Sequence, residues 1–238
     1  MTATGDPAGM AAVDAAIRSR RSVRAFLPRP VARVTIEDIL LLAARAPSGT
    51  NIQPWRVHVL LDSKRQELVD ALLHAYDHEH GQHQWAYEYY PTEWFEPYLG
   101  RRRKIGWDLY GLLGIGRSDK AGMRAQTRRN FMFFDAPVGL IVTLDARLTR
   151  GAWLDCGMFL QNIMIAARAR GLDTCPQAAF AQYPTVIARV LALPEHETIV
   201  CGMALGFADP ESVANRLVTE RAELAEFVRF HSMDGPPA

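Results

Sequence analysis

Arg18, Arg20, Arg21 and Arg24 crowd around Ser22 within residues 18–26, in a chain of 238 residues whose formal net charge is only +1. So small a balance makes no global field for nucleic acid or for an anionic membrane, and neither is expected as a partner. The arginine cluster is therefore a local device; taken alone, a short basic run reads as a solvated surface patch. A second stretch with chemical reach is APSGTNIQPW, residues 46–55. Pro47, Ser48 and Gly49 are small and admit a flat ring, while the amides of Asn51 and Gln53 both donate and accept toward a heterocycle edge. A turn accounts for Pro-Ser-Gly, but not for Asn51, Gln53 and Trp55 after it.

Other reactive residue types carry less. Ser48 stands in no G-x-S-x-G elbow and has no base near it in sequence, which makes it a poor nucleophile. Gly111, Gly114 and Gly116 follow an aromatic stretch of helical character and lack G-x-G-x-x-G spacing, so they read as a turn at a helix end. His74 and His78 have the i,i+4 spacing of a shared metal, yet Gly81 breaks the pattern and no carboxylate is spaced as in a metalloenzyme motif. A solvated loop and no metal are expected there. Cys156, Cys175 and Cys201 form no Cys-x-x-Cys pair and read as reduced core thiols. The first ten residues show neither the charged start nor the apolar stretch of a signal peptide, and no apolar run approaches the ~18 residues of a membrane span. A cytoplasmic setting is expected.

These groups need elements to hold them. Residues 10–20 have apolar positions at helical spacing, and VTIEDILLLAARAPSG predicts a second helix, with Thr35 as N-cap, Asp38 completing a capping-box-like pair and Pro47 with Gly49 ending it. WRVHVLLD alternates like a strand, while APVGLIVTLD and ETIVCGMALGF are short apolar runs of buried-strand type. Between the last two, GAWLDCGMFLQNIMIAARARGL is apolar nearly all round and predicts a buried helix. Strands separated by helices indicate an α+β or α/β domain. Residues 85–110 differ: they hold nine aromatics mixed with Arg101, Arg102, Arg103 and Lys104 and keep no clean period. They read as a lid or arm over a site or a partner subunit. The expected organisation is a flexible tail over 1–10, one domain over 11–232 with the aromatic lid at about 77–120, and a tail over 233–238.

Four blocks in order, RRSVRAF (20–26), APSGTNIQPWRV (46–57), GLDTCPQAAF (171–180) and TERAELAEF (219–227), resemble the FMN-dependent nitroreductase family over nearly the whole chain. Iodotyrosine deiodinase and the flavin-cleaving enzyme of cobalamin synthesis belong to the same superfamily. The resemblance implies an α+β fold with a central, mostly antiparallel sheet flanked by helices, in a domain-intertwined homodimer. It also implies that the basic segment grips FMN. If residues 20–24 are extended, Arg20, Ser22 and Arg24 point the same way. By analogy Arg20 meets the phosphate, Ser22 the ribityl-phosphate region and Arg24 the N1/O2 edge, with Arg21 contributing through backbone or side chain.

By the same analogy Pro47, Ser48, Gly49 and Asn51 reach the flavin from the other subunit. Pro176, Gln177, Ala178 and Ala179 form a strand-like segment passing N5. Some relatives have Glu-Gly where this chain has Ala178-Ala179, so only a backbone N–H, that of Ala179, carries over to N5. Arg221 matches a C-terminal phosphate arginine; a lysine of some relatives is Thr219 here, and Arg216 stands near to supply its charge. The implied activity is hydride transfer from NAD(P)H through FMN to an electron-poor acceptor, a nitroaromatic first and a quinone next, with the flavin rather than a protein acid or base doing the chemistry. Reductive dehalogenation, flavin cleavage and a non-catalytic flavin-binding or sensor module stay open as alternatives.

Overall fold

The computed structural model describes residues 6–231. Helix α1 (Pro7–Ser19) starts where Asp6 accepts from the N–H groups of Ala8 and Gly9 and Pro7 occupies the first turn. Residues 7–10, expected in a tail, are thus its first turn; residues 1–5 and 232–238 lie outside the described residues. Helix α2 (Arg33–Ala43) begins at Ala32 without a side-chain cap, so the expected Thr35 N-cap is corrected. Thr35 is already inside the first turn, its N–H bonded to the Ala32 carbonyl. The apolar stripe of Ile36, Ile39 and Ala43 fixes the helix instead.

Strand β1 (Arg56–Leu60) leads into α3 (Asp62–His78), followed by an irregular aromatic stretch, α4 (Tyr98–Leu112) and α5 (Lys120–Arg128). Then come β2 (Val138–Asp145), the long α6 (Arg150–Ala169), β3 (Asp173–Gln177), α7 (Pro184–Leu191), β4 (Glu197–Gly206) and the short α8 (Leu224–Phe227). The strands pair in the order β1-β2-β4-β3, every pairing antiparallel, which makes the domain α+β. The β2 and β4 side chains are buried on both faces, which is why both sequences are nearly continuous apolar runs. On one face Leu140, Met203 and Leu205 pack with Ile36, Ile39, Phe159 and Ile163 of α2 and α6. On the other, Ile141 and Ala204 pack with Leu68, Leu72, Phe131, Phe180 and Ile187.

Two glycines let aromatic rings lie flat on the sheet. A Cβ on Gly202 would stand 2.3 Å from the Phe180 ring, and one on Gly139 would stand 2.7 Å from the Phe133 ring. The two rings are themselves 4.5 Å apart. The 3-10 turn Ala178–Gln182 is thereby pressed onto the sheet directly after Gln177. Gly114, at φ +68°, closes α4 as the turn read from its glycines.

Candidate active site

The arginine segment leaves α1 in extended backbone at Arg20 (φ −65°, ψ 130°). Ser22 bridges Thr174 of β3 in parallel sense, and the Val23 N–H donates to the Thr174 carbonyl at 3.0 Å. Val23 and Ala25 are buried, whereas Arg20, Ser22 and Arg24 are half-buried, the alternation of an extended strand. On its other side the segment is sewn to Asn215: the Arg24 N–H donates to Asn215 Oδ1 (2.8 Å), and Asn215 Nδ2 donates to the carbonyls of Ala25 (2.8 Å) and Asp209 (2.9 Å).

Among the described residues none of Arg20, Arg24 and Arg216 forms an ion pair with a carboxylate. Arg24 makes one side-chain bond, to the Ser22 carbonyl at 3.2 Å. Burial pushes the neighbouring Cys175 thiol up to about 11, against the opposing pull of Arg24, the Ser22 hydroxyl and Arg20. Arg21 is exposed, and its charge acts on Asp173, whose carboxylate accepts from Arg168 Nη1 at 3.1 Å. Burial raises the Asp173 carboxyl, and the two arginines pull it back.

Pro176 and Gln177 end β3 beside this strand. The segment 176–179, expected to be strand-like throughout, leaves the sheet at Gln177; Ala178 and Ala179 open the 3-10 turn instead, because Phe180 must fold back onto Gly202. No side chain caps that turn, and the first N–H groups of a helical turn have no partner inside it. Gln177 is 3% exposed. Its Nε2 donates to the Asn130 carbonyl at 2.7 Å, while Oε1 is buried with no hydrogen-bond partner.

The Pro47–Gln53 loop lies elsewhere on the chain. Gly49–Asn51 forms a 3-10 turn with exposed Pro47, Gly49 and Asn51, and Ser48 Oγ accepts from the Gln53 N–H at 3.0 Å, a structural role. The loop rests on one face of α6: Asn162 Nδ2 donates to the Ala43 carbonyl (3.3 Å), the Gly49 N–H donates to Asp155 Oδ2 (3.2 Å), and Trp55 stacks on Phe159. The other end of α6 holds the arginine segment, through Arg168 Nε to Ser19 Oγ (3.0 Å) and Arg168 to Asp173. At 1.5 Å per residue, Asp155 and Arg168 stand about 20 Å apart along the helix. The two groups of candidate residues are therefore anchored at opposite ends of it.

Arg216 closes the 3-10 turn that contains Asn215, next to the Arg24 strand. Arg221 is not brought to that strand; its guanidinium donates back to Thr219 and the Glu220 carbonyl. Ion pairs from Arg101 to Glu226 (2.8 Å) and Lys104 to Glu220 (3.3 Å) lay this C-terminal arm along α4, leaving a groove of about 770 Å³ that Arg221 lines. The aromatic stretch is clipped to the body by Ala86 N–H to the Ala181 carbonyl (2.8 Å) and Tyr87 hydroxyl to the Val200 carbonyl (2.7 Å). Tyr87 also packs edge-on against Trp153, and Arg102 sits 4.7 Å over Trp94. His74 and His78 lie in the last turns of α3 rather than in a loop, their rings 5.0 Å apart.

The Nitroreductase family model matches residues 17–207. The chain belongs to the nitroreductase family. It is 42% identical to a 4-nitrobenzoate reductase of Pseudomonas putida over 221 residues, 93% of this chain and 96% of that protein. It is 41% identical to a nitrobenzene nitroreductase of Ectopseudomonas oleovorans, over 92% of this chain and 96% of that one. Among solved structures, the FMN- and NADPH-dependent nitroreductase NfnB of sphigopyxis sp. strain HMH superposes with a TM-score of 0.90 at 36% identity, covering 93% of this chain and 99% of the other. The FMN-dependent nitroreductase NfnB of Mycobacterium smegmatis, in complex with NADPH, does so at 0.89 and 30% identity, covering 94% and 99%.

Within this nitroreductase domain, three residues that hold the site gave no signal in the sequence. Asn215, Asp155 and Asn130 bond to partners 191, 106 and 47 positions away. Isolated Asn or Asp in a linear sequence reads as surface or turn, so no local pattern marks them.

Proposed function

We propose that this nitroreductase-family protein passes a hydride from NAD(P)H, by way of bound FMN, to an electron-poor acceptor, a nitroaromatic first and a quinone next, and works as a homodimer. The observation that carries the reading is the pair of half-buried guanidinium groups, Arg20 and Arg24, on a strand sewn to β3 with no carboxylate partner among the described residues. Buried cations are ordinarily paired, so unpaired ones beside a backbone edge suit an anionic ligand. The orphaned Gln177 Oε1 and the uncapped N–H groups of Ala178 and Ala179 suit a ligand that both donates and accepts. These residues fit FMN.

When bound, FMN supplies an N5 that accepts a hydride from the nicotinamide and returns it to the acceptor. The chain's own part is binding and electrostatics. Arg20, with Arg216, would hold the phosphate dianion by charge-assisted bonds, and Ser22 would add its hydroxyl, while Arg221 stays turned back onto Thr219 and Glu220 in the single chain. Arg21 supports the segment through Asp173. Arg24 would set a fixed cation at the N1/O2 edge, where negative charge grows on reduction. Pro176 and Gln177 would lead the backbone past the ring, and the Ala179 N–H would be the donor offered to N5. Pro47, Ser48, Gly49 and Asn51 come from the partner chain; the separation of the two residue groups along α6 supports this, as does the exposed apolar face of α1 at Met10, Val13 and Ile17. Among the described residues no helix is long and apolar enough to cross a membrane. Three free buried cysteines suit a reducing compartment, which supports a cytoplasmic setting.

Steady-state NAD(P)H oxidation with and without a nitroarene tests the reading. The expected result is oxidation that depends on the nitroarene and yields its reduced product. Halide release from a haloarene, or no turnover with any acceptor, would favour the dehalogenase or sensor alternatives instead.

A further inference from the structure

The loop at residues 48–53 holds left-handed backbone at three non-glycine positions, Thr50 (φ 48°), Asn51 (φ 60°) and Gln53 (φ 48°). Such residues are strained, and they persist where the surroundings over-determine them. Most of the hydrogen bonds here are internal to the loop: Asn51 N–H to the Ser48 carbonyl, Ile52 N–H to the Gly49 carbonyl, Gln53 N–H to Ser48 Oγ and Gln53 Nε2 to the Asn51 carbonyl. Bonds of that kind close a turn without fixing where it stands. Among the described residues, one hydrogen bond ties the turn to the body of the protein, from the Gly49 N–H to Asp155 Oδ2 at 3.2 Å.

Asp155 is suited to that task. It lies in the second turn of α6 and is 6% exposed. Asn162 and Phe159 secure the chain before and after the loop, at Ala43 and Trp55, but leave the strained part to Asp155. We propose that Asp155 is a positioning residue for the flavin pocket: by accepting from the Gly49 N–H it holds the loop in the conformation that presents Ser48 and Asn51 to the cofactor. This rests on the FMN reading above.

The test is the FMN dissociation constant of the deflavinated full-length protein, as wild type, Asp155→Asn and Asp155→Ala, with circular dichroism and gel filtration to compare fold and assembly. Asparagine keeps an acceptor oxygen and drops the charge, so Asp155→Asn should bind within about threefold of wild type. Alanine removes the acceptor and should weaken binding about tenfold, equivalent to 1.4 kcal/mol. Hydrogen exchange across residues 46–55 of the wild type supplies a second measurement that needs no variant: the Gly49 amide should be protected although its residue is exposed. Wild-type affinity in Asp155→Ala, equal losses in both variants, or fast exchange at Gly49 would each overturn the proposal. A wild type that binds no FMN would instead remove the functional reading on which it stands.

Discussion

The indole of Trp55 and the ring of Phe159 lie parallel, within 3° and with centroids 4.8 Å apart. That stack fixes the point where the chain leaves the loop and enters β1, and it does so from the middle of the helix that also supports the arginine segment. Phe159 is buried against both α2 and the sheet. Phe159→Ala should cost about 3–5 kcal/mol of unfolding free energy, and Phe159→Leu clearly less, because leucine refills most of the volume. Urea denaturation of the two variants checks this; equal small losses would mean that the stack contributes little.

Arg20 and Arg24 share a strand face yet should separate in their effects. Arg20→Ala is expected to weaken FMN binding by roughly tenfold or more, a hydrogen bond to a charged group contributing about 1.5–3 kcal/mol. Arg24→Ala should instead lower the two-electron midpoint potential of the bound flavin by roughly 30–65 mV, at 30 mV per 1.4 kcal/mol. Spectroelectrochemical titration of the flavin-saturated variants checks both, and an unchanged midpoint in Arg24→Ala would remove it from the ring edge.

Glu197 ties three strands together. Its carboxylate accepts from Thr143 Oγ1 (2.7 Å), contacts His58 Nε2 (3.0 Å) and pairs with Arg56 (3.3 Å). Burial alone would raise this carboxyl, but the Thr143, His58 and Arg56 contacts outweigh it and hold it below the usual carboxylate range. A depressed folded value means stability that is present above the unfolded value, near 4.5, and lost as pH falls through the folded one. Glu197→Gln should therefore lower the melting temperature at about pH 7, and the gap to wild type should shrink toward about pH 3. A gap independent of pH would show that the ionised form is not what stabilises.

The three thiols should be inert in the native protein. Burial pushes Cys156 and Cys201 up to about 12 and Cys175 up to about 11, leaving almost no thiolate near neutral pH. Iodoacetamide at about pH 8 should label none of them before unfolding and all three after it. Rapid labelling of Cys175 in the folded state would mean that the β3 edge opens.

The parts of the fold that were legible were those with local causes. The two central strands announce themselves as apolar runs because they are covered on both faces, and the Gly114 turn by its glycine; α6 is equally apolar but is not buried all round as expected, since it packs one side on the core and leaves Leu154 exposed. The start of α2 is not legible because Thr35 looks like a cap, while buried Ile36 and Ile39 go with a helix whose N-cap, Ala32, stands three residues earlier. In the site, the alternation of Arg20, Ser22 and Arg24 was readable from spacing alone. The supports at Asn215, Asp155 and Asn130 were not, since each acts on a partner far along the chain. The break at Ala178 needs Phe180 to meet Gly202, a contact between β4 and a distant turn that no window of sequence contains.

Anaerobic double-mixing stopped flow tests the central claim most directly. The purified yellow protein is first reduced with NADPH, which should bleach the flavin absorbance, and is then mixed with 4-nitrobenzoate in the absence of oxygen. The predicted result is full return of the oxidised spectrum at a rate that rises with nitroarene concentration, and FMN as the flavin released afterwards by denaturation. A spectrum that stays bleached until oxygen is admitted would contradict nitroaromatic reduction, and release of FAD would contradict a site built to hold a single phosphate.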